Sequence, residues 1–241
     1  MIDDKRRRFL LNAGAGMALA ATDTGRLQAA ENLETSSQGG EKEVGAVEDL
    51  MREHGVLRRA LLVYRECATR LRSNPVKVDP RAIVDTARLF RSFGEDYHEK
   101  KLEEAHIFPV VRKTGGTAAA YVDVLIAQHR RGREITDYIL AVAGKGSIGT
   151  AEAEPLAHVF DSMDLMYENH AAREDTIVFP AWKAALSERQ LDEMGDLFED
   201  IERAQFGKDG FEDAVARIAR IEQTLGFADL VQFTAPPPPK A

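Results

Sequence analysis

The sequence contains a single cysteine, Cys67, among its 241 residues. A disulfide within the chain needs two cysteines, and a thiolate zinc site needs several, so both are excluded. An excess of basic residues is also lacking: 32 Lys and Arg against 40 Asp and Glu give a net charge of −8. This charge argues against a nucleic-acid partner held through phosphate contacts. No segment alternates apolar and polar residues as a strand would.

Long apolar runs are missing apart from a short one near the start, over residues 10–21. Basic residues precede this run and small residues follow it, which is the layout of an export signal, and the run is too short to span a bilayer. The spelling Arg6-Arg7-x-Phe9-Leu10 resembles a twin-arginine signal. We therefore expect a twin-arginine-type signal peptide over 1–30, a flexible linker over 31–45, and export to the periplasm with no membrane span in the mature protein.

From residue 46 onward the apolar residues recur with the period of helices. Four long stripes contain, in turn, Leu50, His54, Leu57, Leu61, Tyr64, Ala68 and Leu71; Ile83, Ala87, Phe90, Gly94 and His98; Val122, Leu125, His129, Gly132, Thr136, Ile139 and Ala143; and Leu156, Phe160, Met163, Tyr167, His170, Glu174, Ile177 and Ala181. Asp79 before Pro80, Ser187 and Asp209 are candidate helix starts. We predict an all-α protein: an up-down-up-down four-helix bundle over 46–186, a C-terminal helical extension over 187–230 and a Pro-rich tail over 231–241.

Each of the four stripes carries one histidine: His54, His98, His129 and His170. A single histidine on an apolar stripe is usually a core residue whose nitrogens are hydrogen-bonded. Four of them buried together would need partners for many ring nitrogens, and a metal ion supplies such partners. Glu174 follows His170 by four residues, so both side chains reach one cavity.

The two helical hairpins form an internal sequence repeat, because Glu103 and Glu174 each precede a Phe-Pro dipeptide by five residues. The repeat has one defect, since His98 precedes Glu103 by five residues, about 140° around a regular α-helix. Either a π-type bulge separates His98 from Glu103, or Glu99 replaces Glu103; we favour Glu103. We expect Glu104 to lie on a solvated face.

This constellation resembles the hemerythrin-like (HHE cation-binding) family over about residues 46–184. The resemblance implies two iron ions, bridged by oxygen and carboxylates inside a helix bundle, with manganese or zinc as alternatives. Carried over by position, the implied metal ligands are His54, His98, Glu103, His129, His170 and Glu174. The sequence departs from the oxygen-carrying members at Arg133, where they have a second histidine on the third helix, and at Leu102, where they place the second-helix acid.

Four functions remain open at this point. The first is a non-enzymatic di-iron protein that binds or senses dioxygen, nitric oxide or redox state. The second is a di-iron enzyme acting on peroxide, dioxygen or nitric oxide, which the missing histidine at Arg133 favours. The third is storage or handling of iron or another cation, and the fourth is a structural bundle without metal or with zinc. His106 is either a residue outside the site, an additional ligand or part of a ferritin-like Glu-x-x-His phrase.

Overall fold

The computed structural model describes residues 44–239, so the predicted signal peptide and most of the linker lie outside the described residues. The described residues contain helices and no strands, as the periodicity predicts. None of the helices among them is long and apolar enough to cross a membrane.

Four long helices follow one another along the chain. Helix α1 is Ala46–Ser73, and α2 runs continuously over 80–114 through Pro80–Leu89, the π-helical segment Phe90–Ile107 and Phe108–Thr114. Helix α3 is Gly116–Ala143. Helix α4 covers 150–184 as Thr150–Arg173, the π-helical Glu174–Val178 and Phe179–Ala184.

Two further helices, α5 (Glu188–Phe206) and α6 (Gly210–Leu225), occupy the predicted extension and pack on α1 and α2. Short 3-10 turns lie at Pro75–Lys77 and Leu230–Phe233. The second turn crosses the predicted start of the Pro-rich tail, and residues 234–239 after it are exposed coil.

The predicted helix starts are confirmed by their capping bonds. The Asp79 carboxylate accepts a hydrogen bond from the backbone N–H of Arg81 at 2.9 Å, and Ser187 forms a reciprocal capping box with Gln190. Asp209 accepts from the backbone N–H of Glu212 at 2.8 Å. Each bond satisfies a donor that the first turn of a helix otherwise leaves free.

Both π-helical segments end at a Phe-Pro dipeptide. The backbone N–H of Phe108 donates to the carbonyl of Glu103, and that of Phe179 donates to the carbonyl of Glu174. A proline inside a helix crowds the carbonyl four residues before it and cannot donate to it, and a wider turn relieves this conflict. The predicted π-type bulge between His98 and Glu103 is therefore present, and a second one begins at Glu174.

The core consists of the apolar stripes of the four long helices together with buried apolar residues of α5 and α6. Its largest fully buried side chains include Trp182, Tyr64, Tyr97, Phe90 and Phe160. Polar groups also enter this core, because all four stripe histidines and several glutamates are buried with the apolar residues. Buried polar groups destabilise the folded state unless they find partners, so their arrangement calls for a chemical explanation.

Candidate metal centre

A cluster of imidazoles and carboxylates lies where the four long helices meet. The Nε2 atoms of His54 and His98 are 3.0 Å apart, and those of His129 and His170 are 3.1 Å apart. Each of these rings is at most 3 % exposed. Helices α1 and α2 thus supply one histidine pair, and α3 and α4 supply the other.

The carboxylate of Glu103 lies between the two histidine pairs. One oxygen is 3.3 Å from Nε2 of His98, and the other is 3.3 Å from Nε2 of His129. Glu174 makes a matching link, because its Oε2 is 3.0 Å from Nε2 of His170 and 3.5 Å from Nε2 of His54. The structure therefore brings together all six residues that the sequence predicted as ligands.

The outward-facing nitrogens of the first histidine pair are held by carboxylates. Nδ1 of His54 donates to Asp175 at 2.7 Å, and Arg58 forms an ion pair with the same aspartate. Nδ1 of His98 donates to the buried Glu53 at 2.6 Å. A proton fixed on Nδ1 leaves the Nε2 lone pair free to bind a cation in the centre of the cluster.

The second histidine pair is held in the same way by one charged and one neutral partner. Nδ1 of His129 donates to Glu104 at 2.9 Å, and Arg133 donates to the same carboxylate at 2.6 Å. Nδ1 of His170 lies 2.9 Å from the amide oxygen of Gln128. Hydrogen bonds of this kind orient metal-binding histidines in proteins.

The sequence prediction that Glu104 lies on a solvated face is wrong. Glu104 is half-buried, with 25 % of its side chain exposed, and contacts both His129 and Arg133. Glu53, Gln128 and Asp175 were missed altogether. Their partners lie on other helices, and a single sequence carries no signal for such long-range contacts.

The cluster shifts the protonation of its histidines. Burial is the largest single effect on His98 and would lower its pKa, but the charges and hydrogen bonds of Glu103 and Glu53 together outweigh it, so the pKa rises well above the ordinary value. Burial also opposes a charge on His129, yet the carboxylates of Glu99 and Glu103 raise its pKa strongly. The pKa of His170 falls to about 3 because of burial and the neighbouring charge of His129.

The two central carboxylates are shifted in opposite directions. Burial would raise the pKa of Glu103, but His98 and His129 hold it well below its usual range. Burial and the charge of Glu103 raise the pKa of Glu174 far above its usual range. Without a metal ion, protons on His98, His129 and Glu174 therefore offset the negative charge of the buried carboxylates.

The chemistry of the donors fits metal ions. All four carboxylate oxygens of Glu103 and Glu174 are buried, and their only close polar neighbours given among residues 44–239 are the histidine Nε2 atoms, none in the geometry of a hydrogen bond. One ligand atom from each of Glu103, His129, His170 and Glu174 lies within 4.8 Å of the others, and His54, His98 and Glu103 form a second such group. Glu103 belongs to both groups, so its carboxylate is placed to bridge two cations.

The remaining candidates lie outside these two groups. Glu99, Glu104 and His129 form a third set of close potential ligand atoms, but both of its glutamates pair with Arg133. Glu99 is buried, and it accepts hydrogen bonds from Tyr167 at 2.7 Å and from Arg133 at 3.3 Å. His106 is half-buried against the ring of Phe198, which argues against a ligand role. His158 is exposed.

A small cavity adjoins the cluster between α1, α2 and α4. It has room for about one water-sized molecule. Its lining includes the apolar side chains of Leu57, Leu61 and Ala171, and also Arg58, the phenol of Tyr167 and the carboxylate of Glu99. The cavity reaches the cluster itself, so a small uncharged molecule inside it would lie beside the candidate ligands.

The fold and the cluster define a class, that of helical-bundle proteins with a buried metal site of histidines and carboxylates. Comparison with known proteins identifies the family: residues 45–182 match the Hemerythrin HHE cation binding domain, and the chain belongs to this family. The chain is 39% identical over 233 residues to the uncharacterized protein Rv1995 of Mycobacterium tuberculosis (strain ATCC 25618 / H37Rv), a match covering 95% of this chain and 90% of the relative. The uncharacterized protein Mb2018 of Mycobacterium bovis matches equally well over the same shares. No solved structure gives a significant match.

Proposed function

We propose that this protein holds two metal ions, both iron, in its helix bundle and uses them to bind or sense a small molecule such as dioxygen or nitric oxide. One observation carries the proposal, namely that Glu103 belongs to both groups of candidate ligands. In this proposal His54 and His98 bind one ion, His129 and His170 bind the other, and the two glutamates bridge them.

Iron is the proposed metal because of the donor types. The cluster offers imidazole nitrogens and carboxylate oxygens, a set that suits iron or manganese, with zinc as a further candidate. The one cysteine, Cys67, is buried, and burial raises the pKa of its thiol to about 12, so a thiolate donor is disfavoured. When bound, iron would supply reversible redox chemistry at the centre of the bundle.

The surrounding residues support this function by holding the histidines and by excluding water. Asp175, Glu53, Glu104 and Gln128 keep the Nδ1 atoms turned outward. The apolar side chains of Leu57, Leu61 and Ala171 in the cavity lining would favour an uncharged diatomic molecule over hydrated ions. We therefore expect the proposed ligand to bind beside these three residues.

A spectroscopic binding experiment tests this function. Protein loaded with ferrous iron is exposed to nitric oxide or dioxygen, and the visible absorption is followed through binding and removal of the gas. Ala171→Val should narrow the cavity and weaken binding, whereas Ala172→Val, one residue further and outside the cavity lining, should not. The absence of any spectral response in iron-loaded protein would contradict a gas-binding role.

A di-iron enzyme acting on peroxide is the second candidate, and Arg133 is the observation that favours it. This residue stands where oxygen-carrying relatives have a histidine, so the protein supplies fewer ligands to the ion at His129 and His170. Turnover of hydrogen peroxide with a reductant separates this candidate from simple binding. Iron storage would show neither turnover nor a reversible spectral change on oxygenation.

Two further proposals concern architecture and location. The short connections between the four long helices support an up-down-up-down bundle. The Arg6-Arg7 signature supports export through the twin-arginine pathway to the periplasm. Replacing both arginines by lysine should keep the protein inside the cell, which fractionation and immunodetection would reveal; unchanged export would contradict the proposed route.

A further inference from the structure

Arg133 is fixed at both its main chain and its side chain. Its carbonyl accepts a hydrogen bond from Arg91 at 2.9 Å. Its Nη2 atom lies 2.6 Å from Glu104 and 3.3 Å from Glu99, so one guanidinium nitrogen serves two carboxylates. The side chain is only 22 % exposed. Arg133 is therefore held in place by contacts of its own and does not only occupy the position where oxygen-carrying relatives have a histidine.

The contact with Glu104 connects Arg133 to the metal centre. The same carboxylate oxygen, Oε1 of Glu104, accepts from both Arg133 and Nδ1 of His129. The ring of Phe108 also stacks on the ring of His129, with the two centroids 5.6 Å apart. If Glu104 moved, the Nε2 atom of His129 would lose the orientation that points it at Glu103.

The contact with Glu99 connects Arg133 to the cavity. Glu99 accepts from the phenol of Tyr167, and this phenol occupies the space beside Gly132. A Cβ atom on Gly132 would lie 2.0 Å from the Tyr167 oxygen, so only glycine fits there. The dipeptide Gly132-Arg133 thus provides both the space for the tyrosine and the cation for its acceptor.

The other histidines show what such a partner has to provide. His54 is held by Asp175, which also pairs with an arginine, Arg58. His170 is held by Gln128, a neutral amide. A charged acceptor beside a histidine is thus paired with an arginine at two places, Asp175 and Glu104, whereas Glu53, which holds His98, accepts a hydrogen bond from the phenol of Tyr97.

We propose that Arg133 is a positioning residue of the metal centre, which holds Glu104 against Nδ1 of His129 and holds Glu99 away from the ligand cluster. This inference rests on the proposed function, because it assigns the residue a role in cation binding. This role is additional to the loss of a histidine ligand at position 133.

A positioning role and a purely electrostatic role of Arg133 predict opposite changes in cation affinity when the arginine is replaced. A positive charge near a cation site repels the cation, so if Arg133 acts through charge alone, Arg133→Gln should tighten cation binding. If Arg133 positions His129, the same variant should weaken binding by about 10- to 100-fold, as for other residues that orient metal ligands. The direction of the change therefore decides between them.

Zinc affinity of the full chain, measured by competition with a chromophoric chelator, provides the test. Arg131→Gln makes the same charge change on the same helix at an exposed site, and its affinity should stay within about 2-fold of the wild type. Glu104→Gln keeps an acceptor for His129, as Gln128 does for His170, and should weaken binding less than Arg133→Gln. The double variant should weaken binding by less than the product of the two single-variant changes, because a neutral acceptor at position 104 no longer needs the arginine and only the contact of Arg133 with Glu99 is lost in addition.

A second measurement works without any metal. In metal-free protein with 15N-labelled histidine, the Nδ1–H proton of His129 should be protected from exchange by Glu104, and Arg133→Gln should remove that protection. The inference would be overturned if Arg133→Gln bound zinc as tightly as the wild type or more tightly. It would also be overturned if the exchange of the His129 Nδ1–H proton were unchanged in this variant. If the wild-type chain bound no zinc or iron, the proposed function would fail, and the exchange measurement would still decide the positioning role.

Discussion

Nε2 of His98 lies 3.3 Å from Oε1 of Glu103, although five residues separate them along α2. In a regular α-helix this spacing would turn the two side chains about 140° apart. The π-helical segment Phe90–Ile107 brings them to the same face. A local widening of the helix, placed before Phe108-Pro109, thus creates the link between the two histidine pairs.

The first prediction concerns the bridging role of Glu103. Glu103→Gln should lower metal content at both groups, because the residue belongs to each. Glu99→Gln should leave the stoichiometry at about two ions per chain, since Glu99 lies outside both groups and bonds to Tyr167 and Arg133. Metal analysis of the purified variants measures both. Equal loss in the two variants would contradict the separate roles assigned here.

The second prediction concerns His170. Replacing it by alanine should reduce metal content to about one ion per chain or less and lower the melting temperature, because metal binding stabilises the folded state. His158→Ala, in the same helix but exposed, is the matched control and should change neither quantity. Unchanged metal content in His170→Ala would remove the basis for the ligand assignment.

The third prediction concerns Gly132. Gly132→Ala should destabilise the protein by about 1–3 kcal/mol, since the added Cβ would meet the Tyr167 oxygen at 2.0 Å. Tyr167→Phe in the same chain should recover part of this loss. Gly55→Ala, where no atom lies within 4 Å of the new Cβ, should be neutral or stabilising by up to about 1 kcal/mol. Urea unfolding measures all three, and a stabilising Gly132→Ala would contradict the packing described.

The fourth prediction concerns pH and the buried Glu95. Burial raises the pKa of this carboxyl from 4.5 to about 7, despite the hydrogen bond from Thr136. Between these values the folded state holds the proton more tightly than the unfolded state, so stability falls as pH rises through about 7. From pH 5 to pH 8 the wild type should lose about 2–3 kcal/mol more than Glu95→Gln.

Chemical unfolding of metal-free protein at both pH values measures this difference. Glu134→Gln, at an exposed site on α3, should behave like the wild type and serves as the control. The same loss in Glu95→Gln as in the wild type would show that another group causes the pH dependence.

Much of the fold and the candidate site could be predicted because both follow local rules. The helical spacing of apolar residues predicted the four long helices, and the capping residues Asp79, Ser187 and Asp209 predicted three helix starts. The histidines were visible because each stands on an apolar stripe. The Phe-Pro repeat identified Glu103, although a regular helix would have turned it away from His98.

The partners that orient the histidines could not be predicted in the same way. Glu53, Glu104, Gln128 and Asp175 are ordinary residues for the surface of a helix, and the chain is rich in acids. Their contacts cross between helices, so their roles depend on helix packing and not on any local period. Glu104 was misplaced for this reason, since Arg133 and His129 reach it from α3.

The central claim is that the cluster holds two metal ions bridged by Glu103 and Glu174. The most direct test is metal analysis with visible absorption of the protein purified without oxygen and then exposed to air. We predict about two irons per chain and charge-transfer absorption that appears in air. A colourless, folded protein that contains no iron under these conditions would contradict the claim.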